Sequence, residues 1–356
     1  MKKFAKLSLV AAVAVAGLTS TVSAADLSEA IKGVNVSGQF RFRAEDSSID
    51  TGALPNVNSN KTDVEVEVGL KVPVTDTVTA VFKIDNANDD TDAVGKANVQ
   101  IEDYYFSYAN AGTTVNFGQQ NIPGRLTDAA QGDAIVAMHN FGAFTLGAGA
   151  FMTNSVTSGD DIHTVFASGK AGPVSLSAQY ADLPDVMDAY NLKADAKVGP
   201  VMVGVEYTEK DEDAVANDDS DTLKVYASGK FDALSAKVIY VSTGDTGSGS
   251  IDEGAETASE YLLWQLQSED YNDLAVFGVD ATYAINSKLS LRAAYTGGDY
   301  KNGTVTTDIS ETLGQINYKV AKNLNTYFRL SQLENDISGA EVETTFGRIE
   351  VNILSN

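Results

Sequence analysis

The sequence predicts an all-β protein, a transmembrane antiparallel β-barrel of about 18 strands. Three observations carry that expectation: an export signal, strand-period alternation along the chain, and connections that are short and long by turns. The signal comes first. Lys2, Lys3 and Lys6 make a basic start, Leu7 to Leu18 is uncharged and mostly apolar, and Val22-Ser23-Ala24 supplies small residues for cleavage before Ala25. That apolar run is too short to span a bilayer, which takes roughly 20 apolar residues. Residues 1–24 therefore read as a signal peptide, and 25–356 as one barrel domain without a linker or composition break. Cleavage removes three lysines and no acids, moving the net charge from −24 to −27. Cysteine is absent, which rules out a disulfide framework, thiol catalysis and a cysteine-based zinc site. Every later apolar run is broken by polar residues within a few positions, so only a closed β-barrel could cross a membrane.

Alternation is the second observation. Val34, Val36, Phe40 and Phe42 oppose Asn35, Ser37, Gln39, Arg41 and Arg43. Val64, Val66, Val68, Leu70 and Val72 oppose Asp63, Glu65, Glu67 and Lys71, and Leu192, Ala194, Ala196 and Val198 oppose Lys193, Asp195 and Lys197. Such alternation means strands with one apolar and one polar face.

The connections are the third. Short turns at 73–77, 110–113, 170–173, 198–200, 231–234, 285–288 and 320–323 take turns with acidic, Gly/Asn/Ser-rich loops. Those loops lie near 47–61, 86–97, 153–161, 183–188, 210–220, 244–270, 298–304 and 334–340. A soluble β-sandwich also alternates but does not require this strict succession, which is the mark of an outer-membrane barrel. The strands fall near 33–46, 62–73, 77–86, 98–110, 113–121, 135–140, 144–152, 162–170 and 173–182. They continue near 189–198, 200–209, 221–231, 234–243, 272–285, 288–297, 305–319, 323–333 and 341–354. An even count with both ends periplasmic requires 135–140 to be a short strand turning at 141–144. About 16 strands remain possible if it is not a strand and a neighbouring assignment also fails; the segment 261–266 could add a hairpin.

Leu27-Ser28-Glu29-Ala30-Ile31-Lys32-Gly33-Val34-Asn35-Val36-Ser37-Gly38, leading into Phe40-Arg41-Phe42-Arg43, resembles the opening of the campylobacter-type major outer membrane porins. A second likeness is Gly118-Gln119-Gln120-Asn121, followed by a loop with Asp128, Gly132 and a short apolar run. The resemblance implies a barrel of about 18 strands with a third loop folded inward, usually as a homotrimer passing small hydrophilic solutes and ions. It places the protein in the outer membrane of a Gram-negative bacterium, against outer-membrane lipid and lipopolysaccharide. No nucleic-acid partner is expected of so acidic a chain. One departure from the family pattern is the end, Leu354-Ser355-Asn356, where such barrels usually finish on an aromatic residue.

With apolar residues facing lipid, the polar faces are expected to converge on a lumen. Gln39, Arg41, Arg43, Glu65, Glu67, Lys71, Lys83 and Asp85 would point inward at the start of the chain, and Arg292, Arg329, Arg348 and Glu350 toward its end. Closure makes the first and last strands neighbours, so Arg41, Arg43 and Arg348 could form one basic patch. The loop 121–133 is the expected constriction: Pro123-Gly124 favours a sharp turn, Leu126 can anchor to the wall, and Arg125, Asp128 and Asp133 can project into the pore. Acidic rings favour cations, so mild cation selectivity is expected. The acidic runs 85–92 and 211–221 lack the order of ligands of a calcium-binding EF-hand loop. No cofactor is expected, although a divalent cation could bridge acidic loops or sit in the eyelet. His139 and His163 have no recognisable nucleophile or acid partner, so the chain does not read as an enzyme. Tyr104, Phe106 and Tyr108 suit an interfacial aromatic girdle, and the Tyr261–Trp264 stretch could latch over a neighbouring subunit. A passive diffusion channel is the leading function; a substrate-specific channel and a surface adhesin or structural barrel are the alternatives.

Overall fold

A computed structural model describes residues 33–355, apart from 53–54, 88–97, 158–159, 214–218, 253, 261 and 338–339. The signal segment and Tyr261 lie outside the described residues. The strands are β1 (Asn35–Asp50), β2 (Val57–Pro73), β3 (Val78–Ala87), β4 (Asn98–Asn110), β5 (Thr113–Asn121), β6 (Gln131–Asn140), β7 (Phe144–Phe151), β8 (Ile162–Ala171) and β9 (Val174–Leu183). They continue as β10 (Met187–Val198), β11 (Val201–Glu212), β12 (Asp219–Phe231), β13 (Leu234–Thr243), β14 (Asn272–Ala284), β15 (Leu289–Asn302), β16 (Val305–Ala321), β17 (Leu324–Ile337) and β18 (Ala340–Ser355). Each pairs antiparallel with its neighbours in sequence, and β1 pairs with both β2 and β18. The sheet is a closed barrel of 18 strands. Closure removes every sheet edge, which is what a strand-built membrane crossing demands. None of the described helices is long and apolar enough to cross a membrane.

The 135–140 segment is indeed a strand, longer than the alternation suggested because it begins at Gln131. Several others also run on at the loop end. Strand β2 starts at Val57 rather than 62, and β17 continues to Ile337 rather than 333. Hairpin hydrogen bonds can extend past the hydrocarbon, where side chains no longer need to alternate. The described part of the 261–266 segment, 262–266, adds no hairpin. A four-residue helix, α1 (Glu256–Ser259), and a 3-10 turn at Ser268–Asp270 lie in that loop instead.

Outside, the alternation holds: Phe40, Val64, Val66, Phe106, Val205 and Ile349 stand exposed where lipid would cover them. Inside, the expectation of a polar face fails over two stretches of wall. On β6–β9, Ala134, Val136, Phe151, Ile162, Ala181 and Leu183 are buried against Ile122, Leu126 and Ala130 of the β5–β6 loop. On β12–β16, Tyr226, Ile239, Val241, Leu274, Val276 and Ile309 are buried against Leu262 and Leu266 of the β13–β14 loop. Both loops therefore fold inward. Apolar inner residues are needed there because each loop must bury a face of its own to stay in place. The close pack shows at Gly147, where an added Cβ would overlap the Phe166 ring.

Candidate functional site

The charged side chains inside the barrel fall into three groups. The first ties the two inward loops to each other and to the wall. Gly124 turns at φ 113°, and Gln179 of β9 clamps that turn. Its Nε2 donates to the Pro123 carbonyl at 2.8 Å while its Oε1 accepts from the Arg125 amide at 2.7 Å. The turn delivers Arg125 to Glu206 of β11, where Nε and Nη2 bond the two carboxylate oxygens at 2.8 and 3.1 Å. The same guanidinium also bonds Glu256 and Glu260 of the β13–β14 loop. Lys193 of β10 reaches Glu260 at 3.0 Å. Fully buried Lys224 of β12 donates to the carbonyls of Glu256 and Glu260, each at 3.0 Å. Burial alone would lower the Arg125 pKa, but the bond and charge of Glu206, with Glu260, hold it above the ordinary arginine value. Burial would raise Glu260, and the facing Arg125 and Lys193 more than offset it, leaving this carboxyl below its ordinary value.

The second group is a row of arginines. Register places Arg292, Gln315, Arg329, Arg348 and Glu45 side by side across β15–β18 and β1. Arg292 bonds Asp280 through Nε and Nη2, the latter at 2.8 Å, and Arg348 pairs with Glu45. Arg329 Nε donates to Gln315 Oε1 at 2.7 Å, and its guanidinium carbon lies 4.9 Å from the Tyr327 ring. Trp264, from the β13–β14 loop, sits 5.0 Å from the Arg329 guanidinium and 4.6 Å from that of Arg348. On β1, Arg43 Nε donates to Glu350 at 2.8 Å and Arg41 pairs with Glu65.

The third group is acidic. A bulge between β3 and β4 breaks the register beside Lys83, which aligns with Asp103 while Ile84 aligns with Ile101. Glu102 is the extra residue, and bulges commonly re-aim side chains in this way. Lys83 Nζ lies 3.0 Å from Glu67 and 2.6 Å from Glu102. Carboxylate oxygens of Glu67, Asp85 and Glu102 come within 4.8 Å of one another. These residue types could hold a cation, but the Lys83 ammonium already supplies positive charge between two of them.

The structure thus brings Arg41, Arg43, Glu65 and Arg348 together across the β18–β1–β2 seam, as a neutralised network rather than a bare basic patch. Glu67 and Lys83 sit beside it, and Arg329 lies next to Arg348. The β5–β6 loop departs from expectation. Arg125 is engaged by three carboxylates rather than reaching into open water, and exposed Asp128 lies beside Gly254 of the other loop. Asp133 is a correction. It shares the strand face of Ile135 and Ala137, opposite lumen-facing Ala134 and Val136, and accepts a bond from Thr153 at 3.2 Å. The Trp264 stretch is another: it packs inside its own barrel, so it is not a latch over a neighbour. Sequence reasoning missed Glu206, Lys224 and Glu311, polar residues on inner faces otherwise buried; Glu311 between Ile309 and Leu313 was the legible signal.

Residues 1–194 match the family model described as Campylobacter major outer membrane protein. The chain belongs to that family. As a member of the Campylobacter major outer membrane protein family it is an outer-membrane porin of a Gram-negative bacterium, a channel rather than an enzyme. None of the curated proteins matches it. Among solved structures it is similar to OpdQ of Pseudomonas aeruginosa, at 14% identity over 92% of this chain and 99% of that one, with a TM-score of 0.73. OccK2 (OpdF) of the same organism, solved in complex with glucuronate, shares 11% identity over 91% of this chain and 98% of its own, at 0.70. A BenF-like porin from Pseudomonas fluorescens Pf-5 shares 14% over 91% and 99%, also at 0.70. At such identities the likeness is one of fold: the closed 18-strand barrel.

Proposed function

We propose that this porin is a passive diffusion channel with mild cation selectivity, its water path running between the inward loops and the charged wall from β15 through β18 and β1 to β5. One observation carries the reading. Glu67, Asp85, Glu102 and Asp103 cluster around a single ammonium, Lys83, whereas Arg41, Arg43, Arg292 and Arg348 each already face a carboxylate. Arg329 apart, the uncompensated charge along the path is negative, and acidic linings favour cations. A net charge of −24 raises the local cation concentration in the same direction. Export by residues 1–24, assembly as a homotrimer and contact of the acidic outer loops with lipopolysaccharide belong to the same reading. Reversal potentials across a planar bilayer under a potassium chloride gradient test it: potassium preference is expected, and chloride preference would overturn the selectivity.

A second reading, a channel for carboxylated solutes, is favoured by Arg329, which pairs with no carboxylate among the described residues. OccK2, which has the same fold, was solved with the carboxylated sugar glucuronate. That reading expects glucuronate to interrupt single-channel current where the neutral sugar does not.

A further inference from the structure

Glu311 of β16 is a fully buried carboxylate that forms no ion pair among the described residues. Burying a carboxylate is costly unless hydrogen bonds replace its water. Here the replacement comes from the β13–β14 loop. The amides of Trp264, Gln265 and Leu266 donate to Glu311 at 3.1, 3.0 and 2.9 Å, and the Ser331 hydroxyl donates as well. Three successive N–H groups aimed at one anion form a nest, a structure suited to holding negative charge. In this barrel the wall supplies the anion and the loop supplies the nest.

The consequence lies one side chain away. Arg329 and Arg348 are directly opposed across β17 and β18, an arrangement that like charges disfavour. Trp264 is held against both guanidiniums, 5.0 and 4.6 Å from its ring, and is steadied by Phe346 at 5.8 Å. Cation–π attraction from the indole offsets the opposition of the two charges. It also covers surface that permeating ions would otherwise meet.

We propose that Glu311 is a positioning residue for the pore. By gripping the backbone of 264–266 it keeps Trp264 over Arg329 and Arg348, narrowing the water path and hiding two positive charges. Glu311 itself touches no permeating ion. The inference rests on the porin reading above.

The test compares single-channel conductance and reversal potential for the full chain and for Glu311→Ala, Glu311→Gln, Trp264→Ala and the Glu311→Ala/Trp264→Ala pair. Glu311→Ala and Trp264→Ala should each raise conductance and shift the chloride-to-potassium permeability ratio upward by about twofold. The pair should shift no further than either alone. Glu311→Gln, which keeps an acceptor, should lie nearer the unaltered protein. Acetate should reoccupy the empty nest and return Glu311→Ala toward normal selectivity while leaving Trp264→Ala unchanged. Unaltered selectivity in Trp264→Ala would overturn the inference, as would additive shifts in the pair. Trp264→Ala removes no buried charge, so it decides the matter if Glu311→Ala does not assemble. An unaltered protein that conducts no current would instead remove the porin reading.

Discussion

The inner wall of this barrel is built in two ways, and the contrast explains where water can go. From β6 to β9, and again over the outer half of β12–β16, the wall is apolar and a loop lies on it. From β1 to β4 it carries Arg41, Arg43, Glu65, Glu67, Lys83 and Asp103, and none of the apolar clusters among the described residues lies there; Arg329 and Arg348 of β17 and β18 stand at the border, under Trp264. The covered wall resembles the interior of a soluble protein. The open wall resembles a surface turned inside out. Among the described residues, Lys224 and Glu311 on the covered wall, and Glu206 on the neighbouring β11, each fasten a loop.

Removing a fastener should have the largest effect. Arg125→Leu leaves Glu206, 1% exposed, without its bidentate partner, and breaking such a buried pair costs roughly 3–5 kcal/mol. Chemical unfolding in detergent should show a lower midpoint, with both inward loops cut sooner by protease. An unchanged midpoint would break the distinction between fasteners and lumen charges. Next comes Leu126→Ala, a fully buried anchor of the β5–β6 loop, expected to cost about 2–5 kcal/mol by the same assay.

The open wall should answer differently. Lys83→Gln removes the ammonium between Glu67 and Glu102; it should leave the unfolding midpoint nearly unmoved and strengthen potassium preference in bilayers. The smallest expected effect is that of acid. Glu260 has a folded pKa below its ordinary value, so its contribution is complete above an unfolded value of about 4.3 and fades as pH falls toward the lower folded one. Current noise from loop movement should therefore grow below about pH 4. Noise that instead grows on raising the pH would contradict the tie of Glu260 to Arg125 and Lys193.

The difference between the two walls also marks how far the sequence could be read. Lipid imposes one rule on every strand, so the outward residues and the strand count were legible, with β4 and β5 bounded by turns at Asn110 and Thr113. The covered wall was not. In β6, Ala134 and Val136 face inward while Ile135 and Ala137 face outward, and alternation cannot say which apolar face meets lipid. Asp133, expected at the end of the constriction loop, instead belongs to β6, which begins at Gln131, and stands on its outer face. The charge pairing of Arg43 with Glu350 depends on closure between β1 and β18, and so needs register as well as pattern. Tethering of the β13–β14 loop was the least legible feature, since its partners are single polar residues spread over three strands.

The most direct test of a covered and an open wall uses the absence of native cysteine. Cysteine is placed singly at Arg43, Glu67, Val136 and Val241, and each variant is reconstituted and treated with a charged, water-soluble thiol reagent while current is recorded. Arg43→Cys and Glu67→Cys should react quickly and change the current, while Val136→Cys and Val241→Cys should stay unmodified beneath their loops. Equal reaction at all four positions would contradict the account.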